Sequence, residues 1–280
     1  MKKISETIVF FGNEKLATGI PEAKPIILNT VINGGFEIEQ VVTGKLKDLQ
    51  PHKSKLAVLA AYGRIIPQSV LDQFPLGIIN IHPSLLPQYR GPTPIEQAIL
   101  DGVTKTGVSI MRLTAGMDEG PIYKQKTVHL TGQESKVELA TRLQEIGAQL
   151  LMEVLPGIAD GSLQPRQQPH PDRATYSRLL TKEDDIIDWT KPAEQIEREI
   201  RAFSGWPKSR TTIADKELII TKAHAVPSND PDKKPGDIEI LKDENIVMVE
   251  CGLGYICIDR LKPAGKNEMS AGEFIRGYLG

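Results

Sequence analysis

Asn80, His82 and Asp118 are the residues whose types and spacing could do chemistry. Asn80 and His82 stand two apart at the end of an apolar, β-branched run, Ile78-Ile79-Asn80-Ile81, so on a strand both side chains leave the same face. Asp118 follows a second apolar run, Gly107 to Leu113, in the glycine-flanked sequence Gly116-Met117-Asp118-Glu119-Gly120. An amide, an imidazole and a carboxylate at one sheet edge suit acyl transfer to an amine without a covalent enzyme intermediate. An α-amine with a pKa of roughly 7.7–8.0 is mostly protonated at neutral pH and cannot attack in that form. His82 can take that proton, Asp118 can orient the imidazole and favour its charged form, and the Asn80 carboxamide can donate to the oxyanion of a tetrahedral intermediate. Singly, each has a plain structural reading: a strand-end Asn or His satisfied by backbone, an Asp forming a turn. Ser84 follows at the same side-chain phase, but a serine nucleophile needs a G-x-S-x-G elbow, which is absent.

Strands and helices must carry these groups to one rim. Thr7–Phe11, Phe36–Thr43, Leu56–Ala61, Ile78–Ile81 and Gly107–Leu113 read as strands, with Gly120–Leu130 extended. Helices are expected from near Lys24 to Ile32, over Pro67–Phe74, and over Thr93–Asp101 with Thr93 as N-cap and Pro94 first. Another follows the Ser135/Glu138 capping box, with apolar positions Val137, Ala140, Leu143, Ile146, Leu150 and Val154, ending before Pro156-Gly157. This alternation predicts an α/β domain with a mostly parallel sheet covered on both faces, whose ligands sit at the carboxyl ends of strands. One glycine after the first strand, Gly12, is not a G-x-G-x-x-G dinucleotide fingerprint.

Proline-rich Gly161 to Ala174 marks a composition shift and reads as a surface linker. Beyond it come an amphipathic helix, Pro192–Phe203, and short alternating segments at Arg210–Ala214, Glu217–Thr221, Ile238–Leu241, Ile246–Glu250 and Gly254–Ile258. These suggest a small barrel or sandwich, closed by a helix at Ser270–Tyr278. The expected domains are 1–160, a linker at 161–175, and 176–280.

The 280 residues are 40% hydrophobic and 25% charged, the balance of a soluble globular chain. No apolar run is long enough to span a membrane, and the N-terminal apolar run, Ile8 to Phe11, reads as a strand, not a signal peptide. Cys251 and Cys257, without His or Cys at metal spacing, read as reduced thiols in a cytoplasmic protein. Net charge is −2, so no globally basic face is expected. A local basic patch from Lys45, Lys47, Lys53, Lys55 and Arg90, with Arg201, Lys208, Arg210, Lys262 and Lys266 on the second domain, is the expectation for a nucleic-acid partner.

With Asn80-x-His82-x-Ser84-Leu85-Leu86-Pro87, Arg90-Gly91 and Gly116-Met117-Asp118-Glu119-Gly120 in hand, the chain resembles the 10-formyltetrahydrofolate-dependent formyltransferases. Ala61-Tyr62-Gly63-Arg64-Ile65-Ile66-Pro67 is similar to a segment lining the family's folate pocket. Ile187-Asp188-Trp189, Ile200-Arg201-Ala202-Phe203, Trp206-Pro207, Gly265-Lys266-Asn267-Glu268-Met269 and Phe274-Ile275-Arg276-Gly277 resemble the second domain of the branch that formylates initiator methionyl-tRNA. The resemblance implies a Rossmann-like first domain, a small OB-like β-barrel as the second, and Asn80, His82 and Asp118 as the catalytic trio. It implies folate contacts from Tyr62, Gly63, Ser84, Leu85, Leu86 and Pro87. It further implies 10-formyltetrahydrofolate as co-substrate, no metal, initiator methionyl-tRNA as acceptor, no membrane partner, and a monomer. A sugar-nucleotide N-formyltransferase, a 10-formyltetrahydrofolate hydrolase and a non-catalytic binding module are the alternatives. The chain departs from the family in three places. Only Gly44 to Gln50 stands where a basic loop is common, Glu119 replaces a usual threonine, and Ser204-Gly205 precede Trp206.

Overall fold

The computed structural model describes residues 6–12, 26–227 and 233–279. The chain divides into two compact units. The first runs to Leu179, apart from 99–102 and 134–136, which belong with the second, 180–280.

The first unit is built on one six-stranded sheet in the order β2-β1-β3-β4-β5-β6. Its strands are β1 (Thr7–Gly12), β2 (Glu37–Val42), β3 (Leu56–Ala60), β4 (Gly77–His82), β5 (Lys105–Arg112) and β6 (Ile122–His129). β2, β1, β3 and β4 are parallel, while β5 runs antiparallel to both β4 and β6. All six residues of β4 are buried, as a run of β-branched side chains between two covered faces requires. Among the described residues four helices accompany the sheet: α1 (Ile26–Asn33), α2 (Gln68–Leu71), α3 (Pro94–Leu100) and α4 (Lys136–Ala159). The expected start of the first helix near Lys24 lies outside the described residues.

Alternation along β4 decides which side the chemistry faces. Ile78 joins Val9, Phe11, Leu59, and Val70 of α2 in one core cluster. Ile81, of opposite phase, meets α4, where a Cβ on Gly147 would lie 2.7 Å from the Ile81 Cγ2. The sheet is thus covered on both faces, and Asn80 and His82 share the phase of Ile78, away from α4.

α4 corrects the sequence expectation at its end. Pro156 lies inside the helix, which continues to Ala159 and stops before Gly161 at φ +77°. Ile158 is buried beyond the expected break. Its burial, worth roughly 1.5–3 kcal/mol, offsets most of the roughly 3 kcal/mol that an interior proline costs.

The connection from β2 to β3 passes β1 with a single 3-10 turn, Leu46–Asp48, and no α-helix. Two side chains of β2 fasten it. Gln40 Nε2 donates to the Gln50 carbonyl at 3.0 Å and its Oε1 accepts from the Gln50 N–H at 3.1 Å. Glu39 accepts from the Lys53 and Ser54 N–H groups and from the hydroxyls of Ser54 and Thr7. The Ser54 hydroxyl bond, first among these, holds the Glu39 carboxyl down at about 2, below its ordinary 4.5. A depressed carboxyl contributes stability that is present above about pH 4.5 and lost as pH falls through about 2. Glu39→Gln is expected to lower the melting temperature at neutral pH and to flatten its decline between pH 4.5 and 2. Thermal melts across that range check it.

The second unit is an antiparallel sheet curled into a half-barrel, in the order β7-β8-β11-β10-β9, with β12 on β11. Its strands are β7 (Arg210–Ile213), β8 (Lys216–Val226), β9 (Ile238–Leu241), β10 (Ile246–Glu250), β11 (Tyr255–Pro263) and β12 (Met269–Ser270). Among the described residues the path is open between β7 and β9. β8 and β11 are longer than the sequence pattern suggests, because register shifts near Ile258 and Arg260 let the pairing bend and continue. α5 (Ala193–Ala202) and α6 (Ala271–Tyr278) supply Ile196, Ile200, Phe274 and Ile275 to its core. Ser270 caps α6 reciprocally with Glu273. Cys251 and Cys257 are free and buried, and burial pushes the Cys251 thiol up to about 11.

No helix among the described residues is long and apolar enough to cross a membrane. The stretch expected as a linker is tied to the first unit. Arg166 pairs with Ile122, and the Arg90 N–H donates to the Thr175 carbonyl at 2.9 Å.

Candidate active site

β4 carries Asn80 and His82 to the carboxyl end of the parallel strands, where the chain turns through Ser84 to Gly91. Asn80 is 8% exposed and His82 is 4% exposed. Among the described residues no hydrogen-bond partner is found for the Asn80 carboxamide. The His82 ring is held from both sides. Nε2–H donates to the Tyr89 carbonyl at 2.9 Å, and Nδ1 stands 3.7 Å from Asp118 Oδ2. A carbonyl can only accept, so Nε2 carries the proton and the neutral ring keeps its lone pair on Nδ1. The gap to Asp118 exceeds a direct hydrogen bond. A basic nitrogen and a carboxylate therefore face each other across a space that an amine's N–H groups could bridge.

Asp118 reaches His82 because its loop is fixed from outside. The residue adopts φ +49°, in the left-handed region that aspartate tolerates better than most. Its Oδ2 accepts from the Gly91 N–H at 2.8 Å. Gly91 itself sits at φ +107°, and a Cβ there would come within 2.8 Å of the Ser177 carbonyl. Only glycine allows that approach.

The turn from Ser84 to Gly91 rests on β5 and β6. Ser109, fully buried and opposite His82 in register, donates through Oγ to the Ser84 carbonyl at 2.6 Å and accepts from the Leu86 N–H at 3.1 Å. Gln125 Nε2 donates to both Ser109 Oγ and the Leu86 carbonyl. The Ser84 hydroxyl donates to the Gln88 carbonyl at 2.6 Å and is sealed from solvent, which leaves it no role as a nucleophile in this arrangement.

The remaining expected residues fall at the same rim with different exposure. Leu86 packs with Met111 and Ile122, Pro87 is buried, and Leu85 is partly exposed. Tyr62 is buried against Phe11, donates to the Gly44 carbonyl at 3.0 Å, and has its phenol pushed up by burial. Gly63 is exposed at φ +70°, with nothing near an added Cβ. Among the described residues no group of three or more His, Cys, Asp or Glu is placed to hold a metal.

The expected basic patch divides by residue type. Arg90 is 5% exposed, so it is not a surface cation. It bonds Gln168 and the Tyr176 hydroxyl and pairs with Glu119 at 3.6 Å. Arg201 is bound by both oxygens of Glu197, and Arg210 is paired with the buried Asp185. Lys45, Lys47, Lys53, Lys55, Lys208, Lys262 and Lys266 are exposed. Planar guanidinium groups fill fork-shaped acceptor sites within the fold, while ammonium groups stay hydrated.

Sequence reasoning missed the Tyr89 carbonyl, which leaves no trace in side-chain type. It also missed Ser109, Gln125 and Gln168, whose partners lie 16 to 78 residues away.

Residues 13–155 match the family described as Formyl transferase, and residues 179–279 match Formyl transferase, C-terminal domain. The methionyl-tRNA formyltransferase of Roseiflexus castenholzii is 42% identical over 266 residues, 95% of this chain and 83% of the relative. That of Chloroflexus aurantiacus is 43% identical over 239 residues, 85% of this chain and 76% of the relative. Among solved structures, HypX from Aquifex aeolicus in complex with tetrahydrofolic acid aligns over 97% of this chain with a TM-score of 0.70 at 19% identity. This chain spans about half, 48%, of HypX. Methionyl-tRNA formyltransferase from Clostridium thermocellum gives a TM-score of 0.59 at 18% identity over 84% of this chain and 99% of that one.

Proposed function

This chain belongs to the formyltransferase family, and from that premise we propose that it moves a formyl group from N10 of 10-formyltetrahydrofolate to the α-amine of initiator methionyl-tRNA. The observation that carries the reading is the disposition of His82, with Nε2 anchored on Tyr89 and Nδ1 facing Asp118. Relatives about 40% identical over most of the chain carry that name, which supports the acceptor.

In the proposed reaction the acceptor ammonium docks beside the pair, its N–H groups directed at both His82 Nδ1 and the Asp118 carboxylate. The carboxylate attracts the cation, and His82 removes a proton to free the nitrogen lone pair. That lone pair attacks the formyl carbon. The carbonyl π electrons move to oxygen, where the Asn80 carboxamide donates to the developing charge. Collapse re-forms the carbonyl and breaks the carbon–N10 bond, and the newly acylated nitrogen releases its second proton to solvent. The proton held by the imidazolium passes to N10, directly or through solvent, and the products are a formamide and tetrahydrofolate. Asp118 stabilises the imidazolium between these steps. Tyr62, Gly63, Ser84, Leu85, Leu86 and Pro87 are the proposed folate contacts, and the exposed lysines are the proposed contacts to tRNA phosphates. No membrane partner, no metal and a monomeric chain working in the cytoplasm complete the proposal.

The purified chain, 10-formyltetrahydrofolate and a panel of amines test the acceptor. Formylated methionyl-tRNA is the expected product. Formylation of an amino-sugar nucleotide but not of methionyl-tRNA would overturn the acceptor, and formate release independent of any amine would replace transfer by hydrolysis.

A further inference from the structure

Gln168 lies in the stretch expected as a linker but belongs to the first unit, is 7% exposed, and has every hydrogen-bonding position of its side chain in use. Nε2 spends its two hydrogens on the carbonyls of Asp118, at 2.6 Å, and Gly120, at 2.9 Å. Oε1 accepts twice from Arg90, from Nη2 at 2.7 Å and from Nε at 3.3 Å. Two carbonyls on one side and two guanidinium donors on the other fix which end of the amide points where. A carboxylate would satisfy Arg90 at least as well but has no hydrogens for the carbonyls. An apolar side chain would satisfy neither.

Arg90 carries this arrangement to His82. Its backbone bonds Thr175 and Ser177 on either side, its predecessor Tyr89 supplies the carbonyl that holds His82 Nε2, and its successor Gly91 supplies the N–H that holds the Asp118 carboxylate. The Tyr89 N–H is itself held by Thr175 Oγ1 at 2.8 Å. One amide thus ties the loop bearing Asp118 to the loop that anchors His82.

We infer that Gln168 is a positioning residue for formyl transfer, setting the distance between the Asp118 carboxylate and His82 Nδ1. The inference rests on the reading of Asn80, His82 and Asp118 as the reacting trio. Misplacement of a reacting group by about 1 Å costs on the order of 100-fold in rate.

Gln168→Glu separates this role from a structural one, because it keeps an acceptor for Arg90 and removes both donors to the loop. Steady-state kinetics of the full chain from pH 6 to 9, thermal melts and folate binding are measured beside Asp118→Asn. The expected result is a kcat lowered about 10- to 100-fold at every pH. KM and Kd for folate stay within about twofold, while the melting temperature falls, because two loop carbonyls lose their donor. Gln168→Asn, which keeps the amide one methylene short, gives an intermediate kcat and serves as the test should the glutamate variant not fold. A folded variant with kcat within about twofold of wild type overturns the inference. So does a loss confined to KM, or a change that only shifts the apparent pKa of the profile through the added charge. If Asp118→Asn retains full activity, the trio itself is wrong, which is a separate result.

Discussion

His82→Ala is expected to lower kcat for formyl transfer by about 10²–10⁴-fold, the range for a placed general base, with folate affinity changed less than about twofold. The asymmetry follows from where the ring sits. Both nitrogens are directed along the line from Tyr89 to Asp118, and the proposed folate contacts come from other side chains. Truncation removes the lone pair that would accept the amine's proton and also the ring's hydrogen bond to the Tyr89 carbonyl. A lost hydrogen bond costs roughly 0.5–1.5 kcal/mol. The variant should therefore melt at lower temperature yet remain folded and bind folate. Parallel measurement of kcat, folate Kd and thermal unfolding checks this. A variant that turns over at near wild-type rate would remove the base from the mechanism.

Asn80→Ala is expected to lower kcat by about 10²–10³-fold with little change in KM for either substrate, as for loss of one donor to an oxyanion, about 2.7–4 kcal/mol of barrier. Here the effect on stability should be smaller than for His82. The Asn80 carboxamide has no hydrogen-bond partner among the described residues, so its removal strands nothing in the folded chain. A side chain 8% exposed at a strand end, kept polar without a partner, is more costly to bury than a leucine would be. Steady-state kinetics of Asn80→Ala and Asn80→Asp distinguish donation from shape. The aspartate is nearly isosteric but presents charge to the oxyanion, so it should be at least as impaired as the alanine. Equal loss in KM and none in kcat would assign Asn80 to binding instead.

The elements that carry the trio were legible because each has a local cause. Continuous β-branched burial marks β4, alternation puts Asn80 and His82 on one face, and Pro94 marks the first turn of α3. The left-handed backbone at Asp118 fits its glycine-flanked sequence. What local pattern could not give is the set of contacts that fix the geometry. Gln168 lies among prolines and glutamines that read as linker, and only its pairing with Arg90, 78 residues earlier, makes it part of the site. Arg90 reads as a surface cation by type and is buried because tertiary partners satisfy it. Pro156 reads as a helix stop, yet burial of Ile158 beyond it carries α4 past the proline. In each case the deciding energy comes from residues distant in sequence, which a local propensity does not contain.

The most direct measurement follows an isotopically labelled formyl carbon through a single turnover, with the purified chain in excess over 10-formyltetrahydrofolate and methionyl-tRNA present. Direct attack guided by Asn80, His82 and Asp118 predicts that label leaves N10 and arrives on the acceptor amine at one rate, with none retained on the protein. Label trapped covalently on the chain, or released as formate while the acceptor stays unformylated, would contradict it.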